Sequence, residues 1–227
     1  MTASNTSLIR EAGPQDAPFL ARVMLLSARS HIEDRPGFWE KALGGTEAEC
    51  CAYLEQMALV DDRCPTHWTH FLIAEVDGRN AAALAGYDPR TDGGSFGNAA
   101  MTKADKNLGR RNTRVTVACR HAFDTLAKCA WPENFVPGAW IIEYVATLPE
   151  FRNHGLMKAL LKETLLRGRA KGCSSARVHV FIDNTAAERV YSAAGFTVAG
   201  EKRDRAFELF FGRPGMKLLE RSLLVSG

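Results

Sequence analysis

Hydrophobic positions along the chain keep two different periods, and the sharpest change between them falls in the stretch from Trp140 to Lys171. Trp140 to Val145 is almost continuously apolar, interrupted only by Glu143, the pattern of a central strand covered on both faces. Strict alternation places Glu143 on the same strand face as Val145 and Thr147. From Leu156 onward the spacing is helical: Leu156 with Leu160, and Met157 with Leu161 and Leu165, share a face. The join is Arg152-Asn153-His154-Gly155. A glycine at a loop-to-helix junction lets backbone N–H groups approach a ligand, and a helix N-terminus favours an anion. The segment therefore reads as strand, pyrophosphate cradle and helix.

Earlier in the chain, Leu8 to Arg10 is a short strand candidate, and Phe19, Leu20, Val23, Met24 and Leu26 form the stripe of a first helix. His31 to Gly45 is irregular and clusters His31, Glu33, Asp34, Trp39 and Glu40, either a solvated connection or part of a substrate rim. Thr46 followed by Glu49 is a capping box opening a helix that runs to about Val60. Phe71 to Val76 and Ala81 to Tyr87 are strands joined around Asp77-Gly78, a strong hairpin signal. About fifty residues, Asp88 to Gly138, then separate the hairpin from the central strand, far more than an ordinary connection. Val115, Cys119, Ala122, Phe123 and Leu126 predict one helix within this insertion, over Thr113 to Ala130. Lys103, Lys106, Arg110, Arg111, Arg114 and Arg120 make it basic, which reads as a solvated face, a phosphate contact or a lid.

Beyond the cradle helix, Ala176 to Ile182 is a β-branched strand, and Asn184 caps a helix with Ala187, Val190, Tyr191 and Ala194 on one face. Gly195 ends that helix, Phe196 to Ala199 starts a strand, and Met216 to Val225 is another; Ala206 to Phe211 gives no decisive pattern. The order is that of an α/β (α+β) fold: a meander, then strand–helix–strand–helix–strand. No repeat or linker divides it, so residues 1–227 read as one domain with an insertion at about 88–138.

Composition alters little. A chain of 227 residues, 46% hydrophobic and 24% charged, can build a sizeable core. A formal net charge of +3 gives no reason to expect nucleic acid but suits an anionic cofactor. No secretory signal or membrane-length apolar run is visible, so a cytoplasmic protein with no membrane partner is expected. Cys50, Cys51, Cys64, Cys119, Cys129 and Cys173 form no C-x-x-C pair and no zinc spacing, and read as reduced, buried thiols; no metal is expected.

Three signals occur in fixed order: the strand Ile141 to Thr147 running into Arg152-x-x-Gly155, the helix Asn184-x-x-Ala187-x-x-x-Tyr191, and Gly195-Phe196. Together they resemble the GNAT acyltransferase superfamily, whose acetyl-coenzyme A signature is Arg/Gln-x-x-Gly-x-Gly/Ala. The resemblance is best over Ile141 to Phe196, and Met157 departs from it where the family carries a small residue. It implies the GNAT fold, a mixed central sheet of about six to seven strands flanked by helices. It also implies acetyl-CoA as co-substrate and acetyl transfer to a primary amine of a small molecule or an N-terminus. By the same resemblance, the amides of Asn153, His154, Gly155, Leu156, Met157 and Lys158, behind Arg152, hold the pyrophosphate. Val145, Ala146 and Thr147 present backbone to the pantetheine arm and thioester, Asn184 touches the pantetheine side, Ala187 is among the cofactor-binding residues, and Tyr191 occupies the general-acid position. A homodimer formed through the late strands is a further family expectation.

The base is open on sequence. Glu143 is an acid in an apolar strand, costly without a task or partner, while His179 on the neighbouring strand has a suitable ordinary pKa; either could work through a water. A degenerate acyl-CoA-binding module, or an acyltransferase with another donor or acceptor, is the alternative reading.

Overall fold

The computed structural model describes residues 7–30, 35–61, 63–92, 98–113, 116–131 and 136–224. Its frame is a seven-stranded sheet in the order β1-β2-β3-β4-β5-β7-β6. The strands are β1 (Ser7–Glu11), β2 (Phe71–Val76), β3 (Arg79–Tyr87), β4 (Ala139–Thr147), β5 (Ser175–Phe181), β6 (Thr197–Arg203) and β7 (Gly215–Ser222). Only β4 and β5 pair in parallel. The hairpin between β2 and β3 turns through Asp77 and Gly78, both at positive φ (49° and 73°), as a two-residue hairpin turn of the expected type requires.

One face of the sheet carries α7 (Leu156–Ala170) and α8 (Thr185–Ala193), which bury Leu160, Leu161 and Tyr191 against Leu84, Ile142 and Val178. The other carries α1 (Ala17–Arg29), α2 (Phe38–Leu43), α3 (Glu47–Ala58), α5 (Asn98–Asn107), α6 (Val117–Ala127) and α9 (Arg205–Phe211), meeting in a second core around Met24, Tyr53 and Phe207. Thr46 caps α3 through the expected box with Glu49. At about 1.5–3 kcal/mol for each fully buried large apolar side chain, these two layers hold the sheet.

The seating of α7 depends on close approach. Trp140 of β4 donates from Nε1 to Thr164 Oγ1 at 2.9 Å and lies between Gly86 and Gly168. A Cβ on Gly86 would come within 2.3 Å of Thr164 Oγ1, and one on Gly168 within 2.6 Å of the indole. Two missing side chains thus set how near the helix lies to the sheet, and hence where its N-terminus points.

The insertion is more helical than its sequence indicates. Besides α6, which is shorter than the predicted span, it holds a single turn, α4 (Pro89–Asp92), and α5. α5 packs on α3 and α6 on α2. Ala206 to Phe211, undecided from sequence, belongs to α9, capped by Asp204, whose side chain accepts from Phe207 N. Its phenylalanines face the core, so tertiary burial rather than surface periodicity decides its state.

Strand alternation fails at one place that matters. Ala85 of β3 faces Glu143 and Ala83 faces Ala146, so Leu84 opposes two residues, Tyr144 and Val145. This is a β-bulge, with Tyr144 at φ 52°. Glu143 consequently shares the α1 face with Ala85 and Tyr87, while Val145 packs on the α7 face. The expectation that Glu143, Val145 and Thr147 share a face is corrected: the extra residue reverses the alternation.

Candidate active site

The parallel ladder of β4 and β5 ends at Ile142–Val178, immediately before the bulge. Beyond that point the two strands part and a cleft of about 910 Å³ opens between them. The catalytic and cofactor-binding candidates singled out from the sequence line it: Glu143, Val145, Ala146 and Thr147 on β4, Arg152 to Lys158, His179 on β5, and Asn184, Ala187 and Tyr191 on or at α8. The backbone of residues 143–147 has no strand partner on the β5 side, leaving an edge to which an extended ligand arm can add.

At one end lies the cradle. A single 3-10 turn (Pro149–Phe151) leads into the loop, where Asn153 and Gly155 take positive φ of 66° and 73°. The first helical bond of α7 runs from Ala159 N to Gly155 O, so the amides of Gly155 to Lys158 precede the ladder and have no carbonyl of their own helix to meet. His154 pins the loop, its Nδ1–H donating to the carbonyl of Arg152 at 2.8 Å. A Cβ on Gly155 would meet nothing within 4 Å, so this glycine is needed for its conformation and not for space. Met157 packs half-buried against the core that holds Leu156 and Leu160. Arg152, Lys158 and Arg189 add positive charge along this end. Amides, helix dipole and cations together give this end a preference for an anion.

At the middle sit the titratable groups. Glu143 accepts a hydrogen bond from Tyr87 Oη at 3.0 Å. Burial pushes its pKa up to about 7, against the opposing pull of that bond. It therefore exchanges a proton near neutrality, the property of a general base at working pH. Tyr191 is buried with its ring 5.9 Å from that of Phe196, and burial raises its phenol pKa, keeping it protonated and able to donate. His179 lies 5.3 Å, ring to ring, from Trp131. Burial, then the charges of Lys202 and Arg177, lower its pKa to about 4, which leaves a neutral and weakly basic imidazole. Asn184 uses its carboxamide within the protein: Oδ1 accepts from Ala187 N at 3.2 Å, and Nδ2 donates to Ser30 Oγ at 2.8 Å. It ties the start of α8 to the end of α1.

Of the far end, the sequence singles out only Trp39, as a member of a possible substrate rim. Phe38 and Trp39 of α2, Met57 of α3, Phe123 and Leu126 of α6, and Trp131 line it. Phe38 stands edge-on to Trp39 and to Phe123, with both centroid distances 5.0 Å. The stripe of Phe123 and Leu126 was visible, but nothing in it says that it faces a cleft; Trp131 carries no local signal. The insertion's charges go elsewhere: Lys103, Lys106, Arg111 and Arg120 are exposed, and Arg110 lies over the Tyr53 ring while donating to Leu43 O. These described cations form the solvated face. Arg114 and Val115, and the rim candidates His31, Glu33 and Asp34, lie outside the described residues. Glu40 pairs with Arg29 at 2.5 Å.

Among the described residues no group of His, Cys, Asp or Glu side chains could hold a metal ion, and no helix is long and apolar enough to cross a membrane. The model of the acetyltransferase (GNAT) family matches residues 42–196. No curated protein sequence matches the chain. An acetyltransferase crystal structure superposes with a TM-score of 0.68 at 19% identity, covering 96% of this chain and 100% of its own. An N-acetyltransferase from Staphylococcus aureus Mu50 follows at TM-score 0.62 and 18% identity, covering 94% and 100%. yncA from Salmonella typhimurium, solved with its cofactor acetyl-CoA, reaches 0.51 at 16% identity, covering 98% of each chain. This chain belongs to the GNAT acetyltransferases.

Proposed function

We propose that the protein transfers an acetyl group from acetyl-CoA to a primary amine by direct attack, with Glu143 as base and Tyr191 as acid. The observation that carries this is the joining, in one cleft, of a pyrophosphate cradle, a carboxylate with a pKa of about 7 and a protonated phenol. The amides of Gly155 to Lys158 and the cations Arg152 and Lys158 hold the pyrophosphate. The open backbone edge at Val145 to Thr147 holds the pantetheine arm and presents the thioester at the bulge. Asn184 acts at one remove, positioning α8 through its bonds to Ala187 and Ser30.

The step balances as follows. Glu143 takes a proton from the substrate ammonium, directly or through a water. The amine nitrogen attacks the thioester carbonyl carbon; a C–N bond forms and the C–S bond breaks. Tyr191 gives its proton to the departing sulfur, and the second proton lost by nitrogen restores Tyr191 through solvent. The products are an N-substituted acetamide and free coenzyme A. Glu143 is preferred to His179 because an imidazole with a pKa of about 4 draws a proton from an ammonium too weakly. A similar fold solved with acetyl-CoA from Salmonella typhimurium, and a ribosomal-protein-S18-alanine N-acetyltransferase from Escherichia coli at TM-score 0.53, support both donor and reaction class.

Thiol release after mixing acetyl-CoA with a panel of amines tests the reading. Amine-dependent release is expected. If acetyl-CoA raises the melting temperature while no amine ever releases thiol, the protein binds without turnover and the enzyme reading fails.

A further inference from the structure

Resting on the acetyl-transfer reading, we infer that the acceptor is a small monoamine carrying an aromatic or branched apolar group, in the manner of an arylalkylamine. The end of the cleft beyond Glu143 is walled by aromatic and thioether side chains that are themselves held in place. Phe38 is fixed edge-on between Trp39 and Phe123. Trp131 is fixed between His179 and Lys202, whose Nζ lies 4.7 Å from the indole and donates to Ala130 O at 2.8 Å. A wall of this kind rewards a ring or branched chain in the substrate.

Charge narrows the class further. Among the described residues lining the cleft, Glu143 is the one carboxylate. Arg29, a cation lining the cleft, is already paired with Glu40 at 2.5 Å and Glu47 at 2.7 Å, and Lys202, over the Trp131 ring, donates to Ala130 O. Among the described residues of this wall, the second ammonium of a polyamine meets no carboxylate. The wall also comes largely from helices, whose backbone bonds are made internally. The reaction is R–NH3+ plus acetyl-CoA giving R–NH–CO–CH3, coenzyme A and a proton, with R lodged between Phe123 and Trp131.

The test compares kcat/KM for 2-phenylethylamine, 1,5-diaminopentane, ethanolamine and a short peptide beginning with Phe, each with saturating acetyl-CoA. Phenylethylamine is expected to exceed the diamine and ethanolamine by about 30-fold or more, and Phe123→Ala to shrink that advantage about tenfold. Equal or reversed ranking overturns the inference, and so does a peptide that outpaces phenylethylamine. If no amine releases thiol, the acetyl-transfer reading falls, and binding still decides this one. Phenylethylamine that raises the melting temperature of the coenzyme A-bound protein, where diaminopentane does not, supports it; no difference between the two overturns it.

Discussion

On the proposed reading, the cradle end of the cleft takes its binding groups, Arg189 apart, from one run of seven residues, Arg152 to Lys158, and mostly from backbone. The acceptor end takes its groups from side chains on α2, α3 and α6 and from Trp131, far apart in sequence. The cradle's conformation is fixed by positive φ at Asn153 and Gly155 and by the seating of α7 on Gly86 and Gly168. The acceptor wall is fixed only by packing of one ring on another. A backbone site recognises what every donor molecule shares, so its form can stay constant. A side-chain site can be rebuilt without touching the cradle, and specificity belongs there. Glu143 and Tyr191 stand at the border between the two.

Substitutions can break this division, and the largest effect is expected at the border. Glu143→Gln should lower kcat by about 10²–10³-fold while leaving acetyl-CoA affinity within about twofold, measured by steady-state thiol release and calorimetry. Tyr191→Phe should lower kcat by about tenfold to a hundredfold with acetyl-CoA binding again retained; unchanged kcat would remove Tyr191 from the chemistry. Gly155→Val acts on the cradle alone. Forcing a β-branched residue to φ 73° costs about 1–2 kcal/mol, so the KM for acetyl-CoA should rise about tenfold with amine preference unchanged. If amine ranking moves instead, the two ends are not separable. Arg120→Glu, on the solvated face of the insertion, should change kcat/KM by less than about twofold, screened as exposed charges are. A larger loss would bring the insertion's charge into cofactor binding.

The sequence made the cradle end legible because its signals are local. Gly155 before an amphipathic helix, Asn184 at a cap and Asp77-Gly78 in a hairpin each act within a few residues, and all stand where they were expected. Glu143 was conspicuous as an acid in an apolar run, but its orientation was misread. A bulge at Tyr144 has no glycine to announce it; it shows only in the register of β3 against β4. Apart from Trp39, named in a possible substrate rim, the acceptor wall was invisible for a different reason. Phe38, Phe123 and Trp131 look like any core residue in sequence, and only the parting of β4 from β5 turns their faces toward a cavity. α9 went undecided because a seven-residue helix held by Phe207 and Phe211 has too few turns to establish a period.

Glu143 also ties the site to pH. Its folded pKa, about 7, lies above the ordinary 4.5, so the folded state holds a proton that the unfolded chain gives up between those values. Stability from this group is therefore present below pH 4.5 and lost as pH rises through 7, by at most about 3 kcal/mol. Glu143→Gln should flatten that part of the melting curve against pH.

The most direct measurement is the pH profile of kcat/KM for the amine, taken on the acetyl-CoA-saturated protein and on Glu143→Gln. With Glu143 as base, the wild-type rate should climb through an inflection near pH 7, distinct from the higher one set by the amine itself. The variant should lose that lower inflection along with most of its rate. An inflection near 7 that survives in Glu143→Gln, or its absence from the wild type, would contradict the placing of the base at the border of the two ends.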